Sequence, residues 1–317
     1  MSAVRRAGVC GWPVAHSRSP LIHGYWLARY HLEGAYERFA VPPLGFADFA
    51  ASIGADGLVG ANVTVPHKEA AFAACDRLTD SARATGAVNT LWREGGALWG
   101  DNTDVAGFLA TLDAEAHGWR DRVDSAVVLG AGGVARAIVH GLVSRGVERI
   151  AIVNRTQARA VALAERFGPA ARAAAWDELP QLLAKAGLLA NATILGMAGQ
   201  PPLDLPLAPL KAEAVVADVV YVPLTTPLVE AAWRRGCVAF GGLGMLLRQA
   251  APGFARWFGK TPEVTAVAET LERVCVETVE AGDMTKDLAI LISETQPWMN
   301  TQNFLARIDE NLRRAMK

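Results

Sequence analysis

The stretch VVLGAGGVARA, residues 127–137, constrains the fold of this chain more than any other. An apolar run ends at Gly130, and Gly130, Gly132 and Ala135 take the spacing G-x-G-x-x-A where a helix-forming segment, GVARAIVHGLVSRG, begins. Gly130 permits a tight turn, Gly132 lets the backbone approach a pyrophosphate, and the small Ala135 lets the helix pack on the strand while its N-terminus faces the anion. That spacing alone says little. Here a second apolar run, RIAIVN, and a second helical pattern, TQARAVALAERFG, complete a strand–turn–helix–strand unit. The unit predicts a doubly wound, Rossmann-type parallel sheet, with Gly130, Ala131, Gly132, Gly133 and Val134 against the phosphates of a dinucleotide.

The end of the second strand sets the choice of cofactor. A site for NAD places a carboxylate there to accept from the ribose 2′-hydroxyl. This chain has Asn154, Arg155 and Thr156, then Arg159 one turn further on. Two cations and no carboxylate suit a 2′-phosphate and predict NADP(H). The alternative is that both arginines are solvated residues of a helix start.

Short apolar runs alternate with helical patterns along most of the chain, which is the α/β signature. AGVCGWPV, AYERFAV and LVGANVTV precede residue 107, and SAVVLGA, RIAIVN, LLANATIL, AVVADVVY and CVAFGG follow from Ser125 to Gly242. At 317 residues, two domains are expected. Residues 1–107 with 243–265 form the first, residues 108–242 the nucleotide-binding second, and 266–317 a helical extension. A net charge of −1 gives no general attraction to nucleic acid or anionic membrane, which leaves a small molecule as the expected partner. Cys10, Cys75, Cys237 and Cys275 are scattered, and the six histidines lack a metal-ligand spacing, so neither a disulfide framework nor a zinc site is expected. Gly8, Gly11 and Pro13 interrupt the N-terminal apolar run, and no run reaches membrane-spanning length. A cytoplasmic chain is the expectation.

In the first half, polar residues stand at the ends of apolar runs, where the loops of an α/β domain line a crevice. GWPVAHSRSP carries Ser17 and Ser19, ANVTVPHKEAA carries Asn62, Thr64 and Lys68, TGAVNTL carries Asn89, and GDNTDVAGF carries Asp104. Each has a structural alternative. Ser19 can cap a helix before Pro20, Asn89 can close a turn, Asp104 can cap the next helix, and Lys68 can be a solvated first-turn residue.

Taken together and in order, GWPVAHSRSP, NVTVPHK, GAVNT, DNTD, GAGG, NRT and GLGMLLRQA closely resemble shikimate dehydrogenases over about residues 4–265. The resemblance implies a substrate domain facing an NADP domain across a cleft, and the reversible reduction of 3-dehydroshikimate to shikimate. By the same resemblance Ser17 and Ser19 bind the substrate carboxylate, and Asn62 and Thr64 lie near the ring. Asn89 and Asp104 hold ring hydroxyls, Tyr221 and Gln249 close over the other side, and Lys68 is the acid/base residue. Asp80 is expected near the nicotinamide end, with the backbone at Val219 and Gly242 against the nicotinamide. Ile194 departs from the family, which often has Ser or Pro there, and touches only a detail of cofactor contact.

The chemistry fits those residue types. Hydride addition to a ketone builds negative charge on its oxygen, and a lysine supplies both a compensating charge and a proton. Burial would lower the lysine pKa from about 10.4 and a neighbouring Asp104 would raise it. Two same-site alternatives stay open: a quinate/shikimate dehydrogenase using NAD, and a non-catalytic NADP-binding scaffold.

The extension has a different resemblance. VAETLERVCVETVEAGDMTKDLAILI and FLARIDENLRRAMK resemble the C-terminal end of NADP-dependent isocitrate dehydrogenase, without its catalytic segments, so no role passes to Lys286 or Asp287. Val264, Val267, Leu271, Val274, Cys275 and Thr278 fall at helical spacing, and TQNFLARIDENLRRAMK reads as a second amphipathic helix. In that second helix Thr301 is the expected N-cap, with Phe304, Ile308 and Leu312 on one face. A structural or homodimer-forming role is expected, with an accident of gene fusion as the alternative.

Overall fold

The computed structural model describes residues 4–263, 273–293 and 295–315. Two compact units result, Met1–Pro262 and Glu263–Lys317. The first contains two six-stranded sheets.

The first sheet is built from β1 (Arg6–Gly11), β2 (Ala35–Ala40), β3 (Leu58–Val63), β4 (Arg77–Leu78), β5 (Thr90–Glu94) and β6 (Ala97–Asp101) in the order β2-β1-β3-β5-β6-β4. β1 runs parallel to β2 and β3, whereas β5 pairs antiparallel with both β3 and β6. Its helices are α1 (Ser19–Arg29), α2 (Phe46–Ser52), α3 (Lys68–Ala74), α4 (Asp80–Thr85) and α5 (Asp104–Glu115). The β5–β6 hairpin turns on Gly95 and Gly96, with φ of 58° and 81°, a left-handed pair that the two-residue turn requires and glycine supplies without strain.

The second sheet contains β7 (Ser125–Leu129), β8 (Arg149–Val153), β9 (Ala171–Ala174), β10 (Leu188–Asn191), β11 (Val215–Asp218) and β12 (Val238–Phe240). All are parallel, in the order β12-β11-β10-β7-β8-β9. The chain winds outward from the centre in both directions, so β7 and β10 flank a topological switch point, the expected doubly wound arrangement. The helices are α6 (Gly133–Ser144), α7 (Gln157–Phe167), α8 (Leu179–Leu183), α9 (Pro227–Arg234) and α10 (Leu243–Phe258). Strands buried on both faces, such as Ser125–Leu129, need apolar partners above and below: Phe108, Leu112, Ile138 and Leu142 cluster with Ala126 and Val128, and Leu179, Leu183, Leu228 and Ala232 with Val127 and Leu129. α10 leaves the second sheet and returns to pack on α5, α1 and β3.

The second unit is helical. Residues 273–280, Lys286–Ile292 and Thr301–Ala315 form its helices. Val264, Val267 and Leu271, and the side chains of Thr301 and Leu312, lie outside the described residues. The cap of the last helix is Asn300, whose Oδ1 accepts from Asn303 N at 2.8 Å, while Thr301 is already helical. That helix has a partner within the unit, since Asn311 Nδ2 donates to Thr278 Oγ1 at 2.9 Å and Arg307 pairs with Asp283 at 3.0 Å.

Candidate active site

Loops from the ends of both sheets line one cleft of about 150 Å³. Ser17, Ser19, Asn62, Thr64, Lys68, Asn89, Asp104, Tyr221 and Gln249 all face it, as do Val134, Val219 and Gly242 from the nucleotide side.

The helix starts explain why these side chains are free to do so. α1 begins at Ser19 with Arg18 as its N-cap residue, and α5 begins at Asp104 after Thr103. Neither Ser19 nor Asp104 caps its helix. Asn102 takes that task for α5, its Oδ1 accepting from Asp104 N at 3.2 Å. Lys68 is the first residue of α3, and its ammonium lies 2.5 Å from Asp104 Oδ2, with the two side chains only 11% and 6% exposed. A buried ammonium is costly unless paired with an anion, and Asp104 is that anion. The preceding His67 turns the other way, its Nε2 donating to Val41 O at 2.7 Å.

Behind the pair runs a chain of hydrogen bonds whose direction is fixed by chemistry. Tyr36 Oη donates to Asn62 Oδ1 at 2.6 Å, and Asn62 Nδ2 donates to Thr90 Oγ1 at 3.2 Å. Thr90 then donates to Asn89 Oδ1 at 3.0 Å, and Asn89 Nδ2 to Asp104 Oδ1 at 3.0 Å. Thr103 locks Asn89 from its backbone N–H at 2.8 Å and ties Gln249 in by donating to its carbonyl at 2.8 Å. Both oxygens of Asp104 are thereby used, and Asn62 lines the cleft with its amide already spent on Tyr36, Thr90 and the Asn89 carbonyl. Tyr36, Thr90 and Thr103 were given no role in the sequence: Tyr36 and Thr90 read as ordinary strand residues, and Thr103 as the residue before a helix start.

Burial pushes the Tyr36 phenol well above its usual range and lifts that of Tyr221, against which the nearby Arg18 charge works. His23 stacks on Tyr36 at 3.8 Å, and burial alone pushes its imidazole down to about 3. Asp218, at the end of β11, is a buried carboxyl raised by desolvation against three donors, Thr226, Val220 N and Asn191. It folds the loop that carries Val219 and Tyr221 and was also missed in the sequence.

The nucleotide side is open by contrast. Gly130 follows β7 with φ of 109°, and a Cβ there would meet the Ala192 carbonyl at 3.0 Å. Around Gly132 nothing stands within 4 Å of the Cβ position, which is the free space a phosphate needs against the α6 N-terminus. A Cβ at Gly133 would fall 2.8 Å from Lys68 Cδ, so the lysine stem crosses the mouth of the turn. Gly242 packs so closely on Val219 that a Cβ would lie 2.0 Å from its carbonyl oxygen. Asn154 is half-buried and donates to Thr156 O at 2.9 Å, while Arg155, Thr156 and Arg159 are exposed after β8. These residues fit a dinucleotide with an extra phosphate.

Asp80 does not join the cleft. It is the first residue of α4, 99% exposed at its side chain, and pairs with Arg83 at 2.8 Å. A carboxylate at a helix N-terminus beside a cation three residues on is satisfied where it stands. Ile194 is likewise half exposed beyond β10. Among the described residues no cluster suits a metal ion, and no helix is long and apolar enough to cross a membrane.

A parallel sheet with a glycine turn at its switch point, facing a polar cleft with a buried lysine–carboxylate pair, defines the class of two-domain dinucleotide-binding α/β proteins. Comparison with known proteins narrows the class. The sequence models described as shikimate dehydrogenase substrate binding domain, shikimate/quinate 5-dehydrogenase and shikimate 5′-dehydrogenase C-terminal domain match residues 9–91, 116–196 and 242–272. The shikimate dehydrogenase (NADP(+)) of Brucella abortus is 52% identical over 287 residues, covering 89% of this chain and 98% of that one. Its counterpart from Methylocella silvestris is 55% identical over 276 residues, covering 87% and 98%. Among solved structures, the Thermus thermophilus shikimate 5-dehydrogenase in complex with NADP(H) and shikimate superposes with a TM-score of 0.72 at 37% identity, covering 82% of this chain and 96% of that one. Quinate dehydrogenase from Corynebacterium glutamicum in complex with NAD gives 0.75 at 29% identity, covering 83% and 96%. The chain belongs to the shikimate dehydrogenase family.

Proposed function

We propose that this chain reduces 3-dehydroshikimate reversibly to shikimate with NADPH. The observation that carries the reading is the buried Lys68–Asp104 pair, 2.5 Å apart, with the lysine stem against the glycine turn. The relatives named as NADP(+) enzymes support the same cofactor.

In this reading residues 1–107 and 243–265 hold the substrate and residues 108–242 the dinucleotide. Ser17 and Ser19, whose hydroxyls lie 3.3 Å apart, receive the carboxylate, and Thr64, Tyr221 and Gln249 bound the ring. The Gly130–Val134 turn holds the pyrophosphate, Asn154, Arg155, Thr156 and Arg159 the 2′-phosphate, and the backbone at Val219 and Gly242 the nicotinamide. When bound, NADPH supplies a hydride. Lys68 stands beside the ketone oxygen, stabilises the negative charge that develops there, and delivers a proton from Nζ. Asp104 keeps the ammonium oriented and accepts from a ring hydroxyl once substrate displaces water. In the oxidative direction Lys68 takes the proton back.

Absorbance at the nicotinamide band tests this directly. Shikimate with NADP should give turnover well above shikimate or quinate with NAD, because no carboxylate stands after β8 to select a ribose 2′-hydroxyl. Faster turnover with NAD and quinate would defeat the reading.

A further inference from the structure

Glu69 follows Lys68 at the start of α3, half exposed, and does not line the cleft. Its carboxylate reaches across to the nucleotide half. Oε2 lies 3.6 Å from Arg136 on α6, and Oε1 lies 3.7 Å from Arg159 on α7. The two arginines are held differently. Arg136 is 18% exposed, donates to Thr85 O at 3.4 Å, and buries an Nε with no hydrogen-bond partner among the described residues. Arg159 is 58% exposed, and Glu69 is its one ion-pair partner among the described residues. One carboxylate from the substrate side is therefore shared by two cations of the nucleotide side. It also sits on an arginine assigned above to the 2′-phosphate.

We propose that Glu69 sets cofactor specificity: it occupies Arg159 as a carboxylate stand-in for the 2′-phosphate and must release it when a 2′-phosphorylated nucleotide binds. The inference rests on the NADP(H) reading above. A phosphate monoester carries about 1.5 to 2 negative charges and three acceptor oxygens, so it outcompetes a carboxylate for a guanidinium. The exchange is cheap, because a long, exposed ion pair contributes little. It still has a consequence. Glu69 lowers the preference for NADP(H) over NAD(H) below what Arg155 and Arg159 alone would give, by about two- to fivefold. With no phosphate present, the same carboxylate keeps Arg136 and Arg159 compensated and ties α3 to the nucleotide half.

The test is calorimetric titration of the full chain with two probes, 2′,5′-ADP and 5′-AMP, which differ only in the 2′-phosphate. Glu69→Gln should tighten 2′,5′-ADP about two- to fivefold and leave 5′-AMP unchanged. In an Arg159→Gln background the gain should vanish. Unchanged or weakened 2′,5′-ADP binding, equal tightening of both probes, or a gain that survives without Arg159 would each overturn the assignment. A wild-type chain that shows no preference for 2′,5′-ADP defeats the cofactor reading and the inference with it. A wild-type preference that ignores Glu69→Gln defeats the inference alone.

Discussion

The two walls of the cleft are made in opposite ways. On the substrate side, polar atoms are bonded to one another before any ligand arrives, from Tyr36 through Asn62, Thr90 and Asn89 to Asp104 and Lys68. On the nucleotide side the key features are missing atoms and unburied cations: open space at Gly132, and Arg155 and Arg159 in solvent. The first wall fixes angles for chemistry and shape selection, where a misplaced group is costly. The second fixes little in advance and relies on charge and room, which suffices for holding a long polyanion. A polar group on the first wall is bound up with stability, whereas one on the second is not.

That contrast can be broken at several points. Lys68→Ala should lower kcat by about a hundred- to ten-thousandfold, the usual range for a general acid/base group. NADP affinity, read by quenching of protein fluorescence, should stay near wild type; if turnover survived, the buried pair would be only structural. His23 probes the aromatic floor beneath Tyr36. Its imidazole is held neutral down to about 3, while in the unfolded chain it protonates near 6.5. The unfolded state alone then gains a proton as pH falls, so this contribution to stability is complete above about 6.5 and is lost progressively below it. The loss should reach about 2 kcal/mol by about pH 5, visible as a steeper fall of denaturation midpoint in wild type than in His23→Phe. Parallel pH profiles for the two proteins would contradict this. Gly132→Ala is the mildest change to the fold and probes the other wall. With nothing near the new methyl and an extended backbone at φ −90° and ψ −172°, the melting temperature should move by no more than about 1 °C. Dinucleotide affinity should nevertheless drop about tenfold or more, because the methyl takes the space of the phosphate. A large loss of stability with unchanged affinity would reverse the contrast between the walls.

The same contrast decides what could be read from the sequence. The nucleotide side is encoded locally, so its strand, turn and helix stood out in one stretch, and β7, α6, β8 and α7 all formed where expected. The substrate side is encoded by residues far apart in sequence. Ser19, Lys68, Asn89 and Asp104 each had an ordinary local explanation, and only the ordered set of motifs carried a resemblance. Tyr36 and Thr90 stayed invisible because a hydrogen bond between side chains of different strands leaves no periodic trace. Some structure was legible but overlooked. TLWRE and ALWGD around Gly95-Gly96 carry the two-glycine signal of a hairpin, and β5 and β6 are that hairpin. β9, four residues of Ala and Arg, offers no such signal. Asp80 was placed by resemblance alone, and its exposed pairing with Arg83 is a helix-start arrangement.

The lysine stem crossing the glycine turn carries a consequence for how the two walls can change. A single methyl at position 133 would fall 2.8 Å from Lys68 Cδ and collide with that side chain, whereas one at position 132 would meet nothing. Half of the double glycine is thus dictated from the facing sheet. Recoding the loop for another cofactor begins with one letter already taken, and a drift in either wall has to be matched by the other before catalysis returns.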